Sequence, residues 1–224
     1  VAIGTELSEV ALWRDHIGHN CPLYRIDIDP ECLSDHHRAD VGIQARAKDA
    51  LVALLRVLPK SQSKWEPSQV VSQRKTWRAE TEAERPGIIA IADALRDAIP
   101  NETMIYSDMT QFAYVAKEVW PLEQPKHWHH PSGFGTLGYA LPAAIGGAVA
   151  RPNQPTLAIA GDYGFQYTVQ ELGTAVELGQ ALPIILWDNG KLKEIEDSMR
   201  TAQIAPNAVV AKNPNFVKLA EAYG

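Results

Sequence analysis

The sequence predicts an α/β fold built from doubly wound parallel sheets. Apolar, strand-like segments alternate with helical patterns along the chain, and this alternation is typical of parallel sheets covered by helices on both faces. Two of these strands run into polar residues, at Gly161-Asp162 and at Asp188-Asn189-Gly190. In such folds, ligands bind at the carboxyl ends of the strands. A composition of 46% hydrophobic and 21% charged residues supports a folded domain with a substantial core.

The first part of the chain predicts one clear strand and one clear helix. Residues 24–28 alternate apolar and polar side chains and run into Asp29-Pro30, as a strand does before a turn. Apolar residues then recur at helical spacing over 47–58, and Pro59 ends that helix. Residues 61–86 are polar and lack a sustained period, so we interpret them as a loosely ordered linker between domains.

The remaining residues predict the alternation of strands and helices in full. The predicted strands are 104–106, 157–160 and 183–187, and the predicted helices are 88–99, 111–119, 136–150, 169–178, 192–199 and 215–223. Val1–Gly4 has the pattern of the end of a buried strand, and the last helix reaches Gly224 without an obvious cap. We therefore expect the sequence to be an excerpt of a longer chain.

Charge and composition exclude several classes of function. The net charge is -6 and no basic stripe is present, which argues against a nucleic-acid partner. No apolar run approaches the length of a membrane span, and no charged-then-apolar leader opens the sequence. The spacing of Cys21 and Cys32 fits reduced thiols better than a disulfide framework. We expect a cytoplasmic protein that does not bind membranes.

Two polar side chains follow neighbouring predicted strands. Asp162 and Asn189 are separated by one helix and one returning strand, so both can meet at the same edge of the sheet. Carboxylate and amide oxygens suit a hard cation such as Mg²⁺ that keeps phosphate ligands. Gly161 and Gly164 allow the backbone a wider range of conformations, so that successive N–H groups can face an anion. The alternative is that Asp162 only caps a helix.

The segment 161–190 resembles the cofactor motif of thiamine diphosphate enzymes, which begins Gly-Asp-Gly and ends Asn-Asn. The resemblance is strongest with acetolactate synthase large subunits, and it extends through YRIDIDP (24–30), GFGTLGYALPAAIGGAVA (133–150) and VQELGTAVELG (169–179). It implies that residues 1–60 are the C-terminal part of a Rossmann-like central domain. Residues 87–224 would form the domain that binds the diphosphate and Mg²⁺, incomplete at its C-terminus. The implied reaction is decarboxylation of a 2-oxo acid, with or without carboligation to a second carbonyl compound.

The resemblance also assigns roles to individual residues. It implies that Asp162 and Asn189 are the side-chain ligands of Mg²⁺, with the carbonyl of Lys191 as the third ligand. The backbone at Tyr163 and Gly164 would bind the diphosphate. Tyr163 stands where the motif has a small residue, and its ring needs room beside the phosphates.

The other half of the cofactor would lie against the loop at 135–137. The resemblance implies that the Gly135 carbonyl accepts a hydrogen bond from the aminopyrimidine ring, and that Leu137 holds the cofactor folded. Ordinary core packing is the alternative for Leu137. Asp188 replaces the first Asn of the motif and adds negative charge, which we expect to weaken diphosphate binding at low metal concentration.

Substrate selection would depend on the helix after Asn189. Ile195 stands where pyruvate-type decarboxylases place a Glu, and its apolar character matches acetolactate synthases. Glu194 and Ser198 stand where acetolactate synthases have Met and Trp, so we expect a different pocket. Glu194 has the alternative of being a solvated helix charge.

Several features limit what the chain provides alone. The family's activating Glu lies on an N-terminal domain with no equivalent here, so we expect a homodimer or homotetramer whose subunits share each cofactor site.

Acetolactate synthases also bind flavin with an Arg near Gly4-Thr5, where this chain has Glu6 and Glu9, so flavin is doubtful. The His127–His130 loop matches no usual zinc spacing. A homologue that keeps the fold in a structural or regulatory role is the non-enzyme alternative.

Overall fold

The computed structural model describes residues 1–8, 12, 15–62 and 64–224. The chain folds into two compact units, Val1–Glu66 and Pro67–Gly224. Glu9, one of the two carboxylates in the flavin expectation, lies outside the described residues. The assignment of residues 1–60 to a central domain stays a prediction.

The first unit contains a three-stranded parallel sheet. Its strands are β1 (Ala2–Ile3), β2 (Tyr24–Asp27) and β3 (Val41–Gln44), in that order, followed by α1 (Ala47–Val57). Arg25 on β2 is almost fully buried, and its guanidinium donates to Asp35 Oδ1 at 2.7 Å and to the Thr5 carbonyl at 3.0 Å. A buried charge needs such partners, and these bonds tie two loops to the central strand. The predicted strand and helix agree with β2 and α1 to within a residue.

The second unit contains a four-stranded parallel sheet in the order β5-β4-β6-β7. Its strands are β4 (Met104–Ser107), β5 (Trp128–His129), β6 (Thr156–Gly161) and β7 (Ile184–Trp187). Its helices are α2 (Pro67–Glu84), α3 (Ile88–Ala98), α4 (Gln111–Val119), α5 (Ala140–Ala150), α6 (Asp162–Tyr167), α7 (Glu171–Glu177), α8 (Lys193–Thr201) and α9 (Phe216–Tyr223). The α/β fold with parallel sheets is confirmed.

Both faces of this sheet are covered, because β6 sends alternate side chains into two cores. Ile159 belongs to one core and Ala160 to the other, as the two-residue period of a strand requires. The first core also contains Ile88, Ile89, Ala92, Ile105, Phe112, Val115, Ala116 and Leu157. The second contains Ala140, Leu141, Ile145, Phe165, Leu172 and Ala175. The two cores thus lie on opposite faces of the sheet, as expected for a doubly wound arrangement.

The expectation of a loosely ordered segment at 61–86 is wrong over residues 67–84, which form α2. This helix is polar around its circumference, and Thr81 is its one buried residue, so the sequence shows no apolar stripe of helical period. Thr81 Oγ1 donates to Glu118 Oε2 at 2.9 Å, and Arg78 Nη2 donates to Asp93 Oδ2 at 2.5 Å. These two contacts attach α2 to α4 and α3. No helix in the described parts of the chain is long and apolar enough to cross a membrane.

The predicted helix at 136–150 begins later than expected, at Ala140. Gly135 and Gly138 have φ angles of 64° and 83°, a left-handed conformation that no right-handed helix contains. Within α5, a side chain at Gly147 would overlap the ring of Tyr106 on β4. Gly147 therefore serves close packing of this helix against the sheet within one chain.

Candidate functional site

Three polar side chains converge at the carboxyl ends of β6 and β7. Asp162 follows β6 and is 3% exposed. The Asn213 side-chain nitrogen donates to Asp162 Oδ2 at 2.6 Å and to Asp188 Oδ1 at 2.7 Å. Asp162 Oδ2 and Asp188 Oδ1 thus converge on one point, where a neutral amide provides the positive ends of two N–H dipoles. A cation would find hard oxygen donors at this point.

Asn213 reaches this point through the chain segment that returns after α8. Residues on this segment pair antiparallel with the loop after β7: Leu192 N donates to the Val209 carbonyl, and Ala211 N to the Gly190 carbonyl, both at 2.9 Å. Gln166 Nε2 then donates to Asn213 Oδ1 at 3.1 Å, which orients the amide. Sequence reasoning missed Asn213, because Asn before Pro is an ordinary turn signal.

The other predicted metal ligands have local partners. Asn189 Oδ1 accepts from Lys191 N at 3.2 Å in a turn, and Lys191 Nζ contacts Glu196 Oε2 at 2.9 Å. Hydrogen bonds from Lys191 and Arg200 lower the pKa of buried Glu196 to about 2. The described residues contain no group of three or more His, Cys, Asp or Glu side chains that could hold a metal. Any cation here would therefore depend on amide, carbonyl and phosphate oxygens beside the carboxylates, and the roles of Asn189 and Lys191 stay predictions.

Asp108 at the end of β4 holds the loop that contains Gly135 and Leu137. This carboxylate is 1% exposed and accepts from Gly138 N at 3.1 Å and from Ala140 N at 2.8 Å. Burial raises the pKa of Asp108, although the backbone N–H groups oppose that shift. Gly135 is exposed, and Leu137 is partly buried beside it. Asp108 is a positioning residue that the sequence showed only as a polar end to a strand.

The start of α6 has the features of an anion site. Gly161 precedes the helix and has no side chain with which to cap it, and the first N–H groups of a helix attract anions. A side chain at Gly164 would overlap the Asp108 carboxylate, so this turn must contain glycine to approach β4. Tyr163 is partly exposed.

The predicted His127–His130 loop contains β5, at Trp128–His129, and hydrogen bonds anchor it beside β4. Trp128 Nε1 donates to Ser107 Oγ at 2.7 Å, and His130 Nδ1 lies 2.9 Å from the same hydroxyl. Burial, followed by the nearby Lys117, lowers the pKa of His130 to about 4, so the ring is neutral at pH 7. This pair holds the chain just before the Gly135–Leu137 loop.

Among the three predicted pocket residues, Glu194 lines a cavity of about 660 Å³ at the start of α8. Ile195 is 49% exposed. The Ser198 hydroxyl donates to the Glu194 carbonyl at 2.8 Å within the helix. Pocket roles for Ile195 and Ser198 stay predictions.

Comparison with known proteins identifies this arrangement. Residues 108–224 match the model of the thiamine pyrophosphate enzyme, C-terminal TPP binding domain. The chain belongs to the thiamine pyrophosphate enzymes. Thiamine pyrophosphate is another name for thiamine diphosphate, so the resemblance predicted from the sequence is confirmed.

Curated relatives of this thiamine pyrophosphate enzyme include decarboxylases and synthases. A probable 2-ketoarginine decarboxylase AruI of Pseudomonas aeruginosa is 38% identical over all of this chain and 41% of its own length. The acetolactate synthase isozyme 3 large subunit of Escherichia coli is 29% identical over 92% of this chain and 38% of its own length. The chain thus spans about two fifths of the length of these relatives.

A solved structure supports the fold. Benzoylformate decarboxylase from Polynucleobacter necessarius superposes with a TM-score of 0.70 at 19% identity, over 91% of this chain and 38% of that one. The matched family model begins at Asp108 and includes every converging residue of the candidate site. Its description agrees with the local chemistry, because an uncapped turn, paired carboxylates and side-chain amides fit a diphosphate with its cation.

Proposed function

We propose that the protein catalyses the decarboxylation of a 2-oxo acid with thiamine diphosphate and Mg²⁺. The observation that carries the proposal is the pair of carboxylates, Asp162 and Asp188, whose oxygens converge on one nitrogen beside the uncapped start of α6. The convergence lies within the region that matches a thiamine pyrophosphate binding domain. The 2-ketoarginine decarboxylase relative supports decarboxylation as the reaction.

Each part of the site has a distinct role in this proposal. Asp162, the Asn189 side chain and the Lys191 carbonyl would hold Mg²⁺, and backbone N–H groups at Tyr163 and Gly164 would bind the diphosphate. A bound cation would take over the charge-neutralising role of the Asn213 amide. When bound, thiamine diphosphate supplies a nucleophilic carbon and an electron sink for the loss of CO₂.

The loop before α5 would orient the organic half of the cofactor. The Gly135 carbonyl would accept from the aminopyrimidine, and the Leu137 side chain would keep the cofactor folded. Asp108 would fix both by its bonds to Gly138 N and Ala140 N. Preorganised loops of this kind avoid an ordering cost when the cofactor binds.

The test is an assay of the purified protein against a panel of 2-oxo acids, scoring CO₂ and products. Release of CO₂ that requires both thiamine diphosphate and Mg²⁺ is the expected result. Aldehyde as product would assign simple decarboxylation, whereas a coupled product would assign carboligation, the second candidate, which the acetolactate synthase relatives favour. Cofactor binding without turnover of any 2-oxo acid would refute the enzymatic proposal and favour a structural or regulatory homologue.

We also propose that the active protein is a cytoplasmic homodimer or homotetramer, with each cofactor shared between subunits. The described residues provide groups for the diphosphate and metal, and the activating Glu of the family would come from a neighbouring chain. The free thiols of Cys21 and Cys32 suit a reducing compartment. Light scattering across a dilution series tests the assembly, and an active monomer at every concentration would refute it.

A further inference from the structure

A cavity of about 660 Å³ opens at the carboxyl edge of the four-stranded sheet. It is lined by Gln111 at the start of α4, Trp187 at the end of β7 and Glu194 on α8. Arg85 and Ile88 also line it. Small-molecule sites typically have volumes of about 300–1,000 Å³. Asp188 and Asn189 directly follow Trp187, so the cavity adjoins the candidate cofactor site along the chain.

The charges around this cavity do not balance. The Arg85 guanidinium lies 3.2 Å from Glu84, 3.8 Å from Glu194 and 3.9 Å from Glu118. Its side chain is 19% exposed, and the three carboxylates share its single positive charge. Lys193 pairs separately with Asp197. The lining and its immediate partners therefore carry more negative than positive charge, which favours a cationic ligand over an anionic one.

The same cavity has apolar lining residues, and one of them, Trp187, contains a donor left unpartnered in the described chain. Ile88, Ile91 and Trp187 are among its lining residues. Trp187 Nε1 is buried and has no hydrogen-bond partner among the described residues. Buried donors usually find a partner, and the apolar lining residues suit the alkyl chain of a ligand.

We propose that this cavity binds the positively charged end of a small molecule, an ammonium or guanidinium group on an alkyl chain. Glu194 would receive the cation, with Asp197 and Glu84 adding to the negative potential. If the proposed function holds, on which this step rests, the ligand is the substrate, and the protein acts on 2-oxo acids that carry a cationic side chain. Selection would follow from charge, since a neutral chain would leave the carboxylates without additional compensation.

Calorimetry with butylguanidinium and butylurea, which share size and shape but differ in charge, tests the cavity directly. We expect the cation to bind at least about tenfold more tightly than the urea, as charge-assisted hydrogen bonds provide, and this preference should weaken at high salt. Glu194→Gln should remove most of the preference. Glu177→Gln, which changes an exposed carboxylate on α7, should leave it unchanged.

Equal affinity for both probes, tighter binding of butanoate, or no binding of any probe would overturn the inference. Thermal unfolding of Glu194→Gln checks that the variant is folded. The binding assay needs neither cofactor nor turnover, so its outcome is separate from that of the proposed function. A protein that binds butylguanidinium but releases no CO₂ would refute only the enzyme proposal. Turnover of neutral 2-oxo acids with no preference for cationic ones would refute only the substrate class.

Discussion

Replacing Asn213 with Leu should destabilise the protein without cofactor much more than the protein with bound cofactor. In the structure, the amide donates to Asp162 Oδ2 at 2.6 Å and to Asp188 Oδ1 at 2.7 Å. A hydrogen bond to a charged group contributes about 1.5–3 kcal/mol, and a buried acceptor left unpaired costs about 1–3 kcal/mol. Asp162 is 3% exposed whereas Asp188 is exposed, so the bond to Asp162 should account for most of the loss. We expect about 2–3 kcal/mol without cofactor.

Saturating Mg²⁺ and thiamine diphosphate should reduce the destabilisation by Asn213→Leu to about half or less, because a cation replaces the amide as the partner of Asp162. Ligands that bind only the native state also stabilise it. Denaturant unfolding of wild type and Asn213→Leu, each with and without both ligands, measures the difference. Asn207→Leu is the matched control, since Asn207 is exposed on the same segment. An equal loss in both conditions, or no loss without cofactor, would show that Asn213 and the cation do not act on the same carboxylates.

Three further predictions concern the site. Asp162→Ala should abolish Mg²⁺-dependent binding of thiamine diphosphate in calorimetry, because the main charged ligand is removed; unchanged affinity would sink the metal site. Leu137→Ala should lower kcat far more than cofactor affinity, and equal effects on both would return Leu137 to ordinary core packing. The pKa of His130 is about 4 in the folded state and about 6.5 when unfolded, so the unfolded state binds a proton more readily. The stability that the neutral ring contributes is therefore complete above pH 6.5 and is lost as pH falls towards 4. The pKa difference sets a ceiling of about 3 kcal/mol, which solvent screening of the partly buried ring reduces to about 1–2 kcal/mol. Unfolding measured from pH 7 to pH 4 should show this slope in wild type and not in His130→Gln, and identical slopes would assign the dependence to other groups.

Much of the second unit could be predicted from the sequence because its elements have local signatures. The buried strand β6 and the turn after it appear as an apolar run followed by Gly161-Asp162, and α4 was predicted with both ends correct. Its two wrong expectations each have a physical cause. α2 lacks an apolar stripe because it is almost entirely exposed, and the start of α5 is delayed by Gly135 and Gly138, whose positive φ angles follow from tertiary position.

The sequence by itself determined the fold class, the family and the position of Asp162 at the end of a strand, because hydrophobic period, glycine placement and linked motifs are properties of neighbouring residues. Only the tertiary structure placed Asn213 between Asp162 and Asp188, brought Asp108 under the Gly138–Ala140 backbone, and set Arg85 near Glu118 and Glu194. These contacts join residues far apart in the chain, and no local pattern encodes which distant polar group will meet which. They form because buried polar groups must find partners once strands and helices have packed.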